Sequence, residues 1–181
     1  KQSEMTTSKL EKLATEKEIP SSDVPHRQAA MIAGLGLLIM AIIAFFVNFS
    51  VLQGLVVPED AAKTVSNIME NQMLFRLGIA GFIVVLICDV LVAWALYVFL
   101  KPVNQSLSLL AAIFRLVYTA IFGVVLLQLS NALQWLQGAA HLSALSVEQV
   151  QAQVMMSLES FQYGWQIGLV CFGFHLLVLG Y

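Results

Sequence analysis

An aspartate stands at position 89 inside the apolar run LICDVLVAW, and an arginine at position 115 inside LLAAIFRLVY. Neither has neighbours in sequence that can solvate a charge. Where such runs cross a bilayer, a charge at mid-depth costs about 2.5–3.5 kcal/mol on insertion scales, so ionisable groups turn inward and pair. Pro102 lies thirteen residues after Asp89 and thirteen before Arg115. At the helical rise per residue both groups fall roughly 15–20 Å from a turn at Pro102, at matching depth on antiparallel neighbours. His175 reaches a similar depth if the last apolar run begins near Phe161. Tyr118 and Thr119 sit one turn beyond Arg115 on the same helical face. Asp89, Arg115, His175 and Tyr118 at one level make a polar centre able to titrate or to bind a small anion. The plainer reading of the same residues is interhelical glue: an ion pair, with His175 a hydrogen-bonded packing residue.

A second polar set lies nearer the other membrane face. Gln128, Asn131 and Gln134 form a stripe on the outer half of the third apolar run, and Gln162 and Gln166 are expected to face it across the bundle. Hydrogen bonds between helices, about 0.6 kcal/mol each, are one use for such a stripe. An outward-open vestibule is the other. Arg76, at the outer end of the second run, is expected to snorkel to the headgroups.

Signatures of known enzymes are missing from the sequence, which has no H-E-x-x-H, no G-x-S-x-G and no P-loop. His26, His141 and His175 belong to the inner edge, an outer loop and the core, which argues against a shared metal site. A haem held by two histidines would need a second intramembrane His. No catalytic residue, metal or cofactor is therefore assigned. Cys88 and Cys171 lie within apolar runs and read as small packing residues.

The elements that would position these groups follow from composition. Of 181 residues, 59% are hydrophobic and 11% charged, against about a quarter charged in soluble domains. Ten of the twenty charged residues fall before residue 28, so the rest of the chain is long apolar runs with short polar breaks. Four runs reach membrane length, at about 29–56, 73–100, 105–136 and 161–181. The third exceeds a bilayer's needs and is expected to tilt or project. KPVN, Lys101 to Asn104, makes the second and third a tight helical hairpin, because Pro102 blocks a continuous helix. Residues 1–25 form a polar tail and linker, with a short charged helix over about 9–18, and 26–181 form the transmembrane domain. In the segment LSVEQVQAQVMMSLESF, Ser146 and Gln149 have capping-box spacing, and Val147, Val150, Val154 and Leu158 share one face. That pattern predicts an amphipathic helix lying on the outer surface and feeding the fourth span.

Lysine and arginine are concentrated in the N-terminal tail and at Lys101, whereas the loop over 58–72 has only Lys63 and the stretch 137–160 has none. This asymmetry places the N-terminus and the Lys101 turn in the cytoplasm. Trp135, Tyr163 and Trp165 would then belong to an outer aromatic belt. A net charge of -2 gives no sign of a nucleic-acid partner.

The stretch from Asn71 to Tyr118, with NQMLFRLGI, Asp89 and ALYVFLKPVNQSLSLLAAIFRLVY, resembles the bacterial multi-pass membrane family known as domain of unknown function 4386. The ending CFGFHLLVLGY is similar to a later segment of that family. The likeness covers about residues 27–181 and matches at Arg76, Asp89, Tyr97, Lys101, Pro102, Asn104 and Arg115. It implies an integral membrane helical bundle and no established activity. Family members continue past LLVLGY with two more apolar segments, which implies that this chain is the N-terminal part of a six-helix protein.

Together these readings give an all-α integral membrane bundle of four transmembrane helices plus an outer amphipathic helix, in a bacterial cytoplasmic (inner) membrane. Its partners are the lipid bilayer and either other membrane subunits or itself. The preferred function is a non-enzymatic accessory, scaffold or sensing subunit. A small-solute or proton transporter using the polar centre is the first alternative, and an intramembrane enzyme the second.

Overall fold

The computed structural model describes residues 25–138 and 146–181. The tail helix expected over 9–18 and the outer-loop residue His141 lie outside the described residues. Among the described residues there are four long helices and one short one. These are α1 (His26–Leu55), α2 (Ala61–Glu70), α3 (Gln72–Leu100), α4 (Gln105–Gly138) and α5 (Val147–Gly180). All but α2 are long and apolar enough to cross a membrane. The chain is thus an all-α bundle with four candidate spans.

Packing runs in sequence around the bundle: α1 lies on α3, α3 on α4, and α4 on α5 along its length. Lipid gives no hydrophobic drive between helices, so close contact depends on small residues. At Gly164 of α5 a β-carbon would collide with Val125 of α4, so the hydrogen side chain sets the distance between those helices. On the other side, α1 turns from α-helix to π-helix over Val47–Leu52. The wider turn brings Val47 and Val51 onto the glycine notches of α3. A β-carbon at Gly78 would sit 2.8 Å from Val51, and one at Gly81 2.9 Å from Val47. A π turn inside an α-helix shifts the register of everything after it, and sequence periodicity did not reveal it.

The hairpin between α3 and α4 turns at Lys101, Pro102 and Val103. Asn104 caps α4 by accepting the Leu107 amide at 3.1 Å, and Ser108 Oγ donates to the Tyr97 carbonyl at 2.9 Å. These bonds satisfy backbone groups that helix ends leave unmet.

Two expectations need correction. The segment from Val147 to Leu158 is not a separate surface helix. Ser146 and Gln149 do form a reciprocal capping box, but the helix they start runs unbroken to Gly180. No Pro or Gly interrupts 146–163, and Val150, Val154 and Leu158 are buried against the bundle. At 34 residues each, α4 and α5 are about 51 Å long and extend well past a hydrocarbon core of about 30 Å.

The second correction is α2, which lies where only a loop was expected. Asp60 caps it by accepting the Lys63 amide at 2.8 Å. Thr64 and Ile68, one turn apart, are fully buried. The Thr64 hydroxyl donates to the Val57 carbonyl at 3.1 Å and accepts from the Val57 amide at 2.9 Å. Asn67 Nδ2 donates to the Leu55 carbonyl at 3.1 Å, fastening α2 to the end of α1. Between them Glu59 takes a left-handed conformation, with φ of 64°.

Candidate functional site: an intramembrane polar centre

Asp89 on α3, Arg115 on α4 and His175 on α5 meet in the interior, each no more than 2% exposed. Their surroundings follow from the helical phases: Val85 and Val92 flank Asp89 on the buried face of α3, and Ala111, Ala112 and Thr119 flank Arg115 on α4. Small residues on α4 leave room for the guanidinium to extend across the bundle rather than along it.

Arg115 is the hub. Its Nη2 lies 2.6 Å from Asp89 Oδ1. Its Nη1 lies 3.2 Å from His175 Nε2, and Nη2 reaches the Met40 sulfur on α1 at 3.9 Å. The guanidinium carbon stands 5.5 Å from the centroid of the Phe172 ring, within range of a cation–π contact. One side chain therefore touches all three other spans.

The tautomer of His175 follows from its neighbours. Nδ1 lies 2.8 Å from the Ala111 carbonyl, which can only accept. Nε2 faces a guanidinium, which can only donate. The ring must carry its proton on Nδ1 and present a lone pair to Arg115. It is neutral there, since a second proton would point at a cation. The centre then sets one carboxyl group and a neutral imidazole against one guanidinium.

Hydrogen bonding is incomplete. Arg115 Nη2 and Asp89 Oδ1 meet as an ion pair, while Asp89 Oδ2 and Arg115 Nε have no hydrogen-bond partner among the described residues.

Tyr118 stands beside this cluster without joining it. Its hydroxyl accepts from Trp165 Nε1 at 3.2 Å, and its ring packs on Phe172 at 5.1 Å. Thr119 Oγ1 donates to the Arg115 carbonyl at 2.8 Å, a bond within its own helix. Trp165, expected in the outer aromatic belt, packs inward with Phe82, Phe122 and Phe161 at centroid distances of 5.7–5.9 Å.

The profile of the family described as Domain of unknown function (DUF4386) matches residues 32–181. The chain belongs to that family. An uncharacterized protein of Archaeoglobus fulgidus is 31% identical over 104 residues, covering 58% of this chain and 48% of that protein. The chain thus spans about half the length of the relative it matches. No solved structure matches.

In this family member the outer polar residues divide into two groups. On α4, Asn131 Nδ2 donates to Gln128 Oε1 at 3.2 Å, and Gln134 is exposed. Gln162 and Gln166 do not face them. They line a groove of about 470 Å³ together with Asn48 and Gln53 of α1. The reason is helical phase: α5 turns Gly164 and Gly168 toward α4, which carries Gln162 and Gln166 around to the side of α1. Arg76 is exposed on α3 and donates to Gln72 at 3.4 Å. Met40 and Phe172 are site residues that sequence reasoning missed. Neither type marks a polar site, and no pattern in the sequence gives the rotation of α1 or α5.

Proposed function

We propose that this protein is a non-enzymatic membrane subunit, an accessory, scaffold or sensing component, whose polar centre locks four spans into one arrangement. The observation that carries this reading is the reach of Arg115 to Asp89, His175 and Met40, one group from each of the other spans. Its near-complete burial supports a lock rather than a conduit, and so does the neutral His175, which holds a fixed tautomer between a carbonyl and a guanidinium. Among the described residues, two grooves of about 470 and 250 Å³ are lined by neither Asp89, Arg115 nor His175. We place it in a bacterial cytoplasmic membrane with the N-terminus inside, and the Lys and Arg asymmetry supports that orientation.

A proton or solute transporter is the second reading, favoured by one observation: Asp89 Oδ2 and Arg115 Nε lack hydrogen-bond partners among the described residues. Proteoliposomes enclosing a pH-sensitive dye separate the two. Under an imposed pH gradient, the lock predicts proton flux equal to that of empty vesicles. Flux above that level that disappears in Asp89→Asn would overturn it.

A further inference from the structure

The outer groove lies where α1 and α5 come together without packing against each other, since α1 is held by α3 and α5 by α4. We propose that it binds a membrane lipid whose head carries a free ammonium group. Its volume, about 470 Å³, falls within the range of about 300–1,000 Å³ usual for small-molecule sites. Three features of the groove select the occupant.

Depth comes first. Met40 and His175 mark the level of the buried centre. Asn48 lies eight residues outward from Met40 on α1, and Gln166 nine residues outward from His175 on α5. Both amides therefore sit roughly 12–14 Å above the centre, near the edge of a hydrocarbon core about 15 Å in half-thickness if the centre is at the midplane. Glu59 and Glu159 line the outer part of the groove, at headgroup level.

Charge comes second. Glu59 and Glu159 are the charged residues of the groove, and among the described residues no Lys or Arg lines it. Two exposed carboxylates complement an ammonium group. The amides of Asn48, Gln53, Gln162 and Gln166 can donate to phosphate oxygens and accept from an ammonium.

The third feature is what lies inward of the amides. On the faces that carry Asn48 and Gln166, the positions four, seven and eleven residues further inward are Ala44, Ala41 and Leu37 on α1 and Val170, Gly173 and Leu177 on α5, all apolar and at least partly exposed. An acyl chain can continue along this seam, whereas a water-soluble amine would leave it uncovered.

Native mass spectrometry of the purified chain tests the assignment. Phosphatidylethanolamine, its N-acetylated form and phosphatidylglycerol, all with the same acyl chains, are titrated in turn. The proposal predicts about tenfold tighter binding of phosphatidylethanolamine than of the other two, a gap of about 1.4 kcal/mol. In the double variant Glu59→Gln, Glu159→Gln that preference should disappear. Equal binding of the three lipids by the wild-type protein would overturn the proposal without recourse to any variant. Preference retained in the double variant would overturn it too. So would binding of soluble phosphoethanolamine as tight as that of the lipid, because the occupant would then be a free amine.

Discussion

Arg115→Gln removes more than one half of an ion pair. It strands Asp89, which is fully buried, and takes away the contacts of the guanidinium with His175, Met40 and the Phe172 ring. Breaking a buried pair from one side costs about 3–5 kcal/mol in soluble proteins. Asp89→Asn strands the arginine instead, but leaves its bond to His175 in place. Arg115→Gln should therefore be the worse of the two. In the double variant no charge is left buried, and an Asn and a Gln can share a hydrogen bond worth about 0.6 kcal/mol in a membrane interior. The double variant should recover most of the loss, short of what the other contacts of Arg115 contribute. Reversible unfolding in mixed micelles, followed by tryptophan fluorescence, measures all four proteins. The coupling between the two sites should be at least about 2 kcal/mol in the sense of rescue, within the range seen for residues in contact. Losses that simply add would refute the reasoning, because two side chains that stabilise one another cannot be removed independently.

Other perturbations reach the supports of this centre. Gly164→Ala pushes a methyl into Val125 and should lower stability by about 1–3 kcal/mol; Val125→Ala in the same chain should restore much of it, and failure to do so in thermal melts would count against this contact. Thr64→Val deletes both bonds to Val57 while keeping the side chain's shape. Each bond contributes about 0.5–1.5 kcal/mol net, and amide exchange at 61–70 should rise selectively, whereas a uniform rise across the bundle would contradict a local tether. Topology is tested by single cysteines at Glu148 and Lys101 in a chain lacking Cys88 and Cys171. Impermeant maleimide should label position 148 in intact cells and position 101 only after the membrane is opened, and the reverse pattern would invert the orientation.

The sequence makes some of this architecture legible and hides the rest for identifiable reasons. Asp89 and Arg115 could be placed together because a hairpin with a proline at its tip fixes depth by counting residues, and depth is what the pair shares. His175 follows the same logic from the start of the last apolar run. Rotation about a helix axis is harder to read where nearly every residue is apolar. Gln162 and Gln166 therefore point toward α1 instead of toward Gln128 and Asn131, and Met40 and Phe172 went unnoticed. The π turn at Val47–Leu52 breaks the periodicity on which any such reading depends. Short α2 was hidden by its length, although Asp60 and the spacing of Ala61, Thr64, Val65 and Ile68 carry its signal. The continuity of α5 needed only the observation that nothing between Ser146 and Tyr163 breaks a helix.

The proposed lock rests on Arg115 binding Asp89 and His175 together in the bundle. Magic-angle-spinning NMR of the protein in lipid bilayers tests it directly, with nitrogen-15 in the arginine guanidinium groups and carbon-13 in the aspartate carboxyls and histidine rings. Contacts of 2.6 Å to Asp89 and 3.2 Å to His175 predict strong nitrogen–carbon dipolar dephasing from one guanidinium to both partners. The carboxyl part of that signal should vanish in Asp89→Asn. A guanidinium of Arg115 that shows no dephasing from either partner would contradict the account.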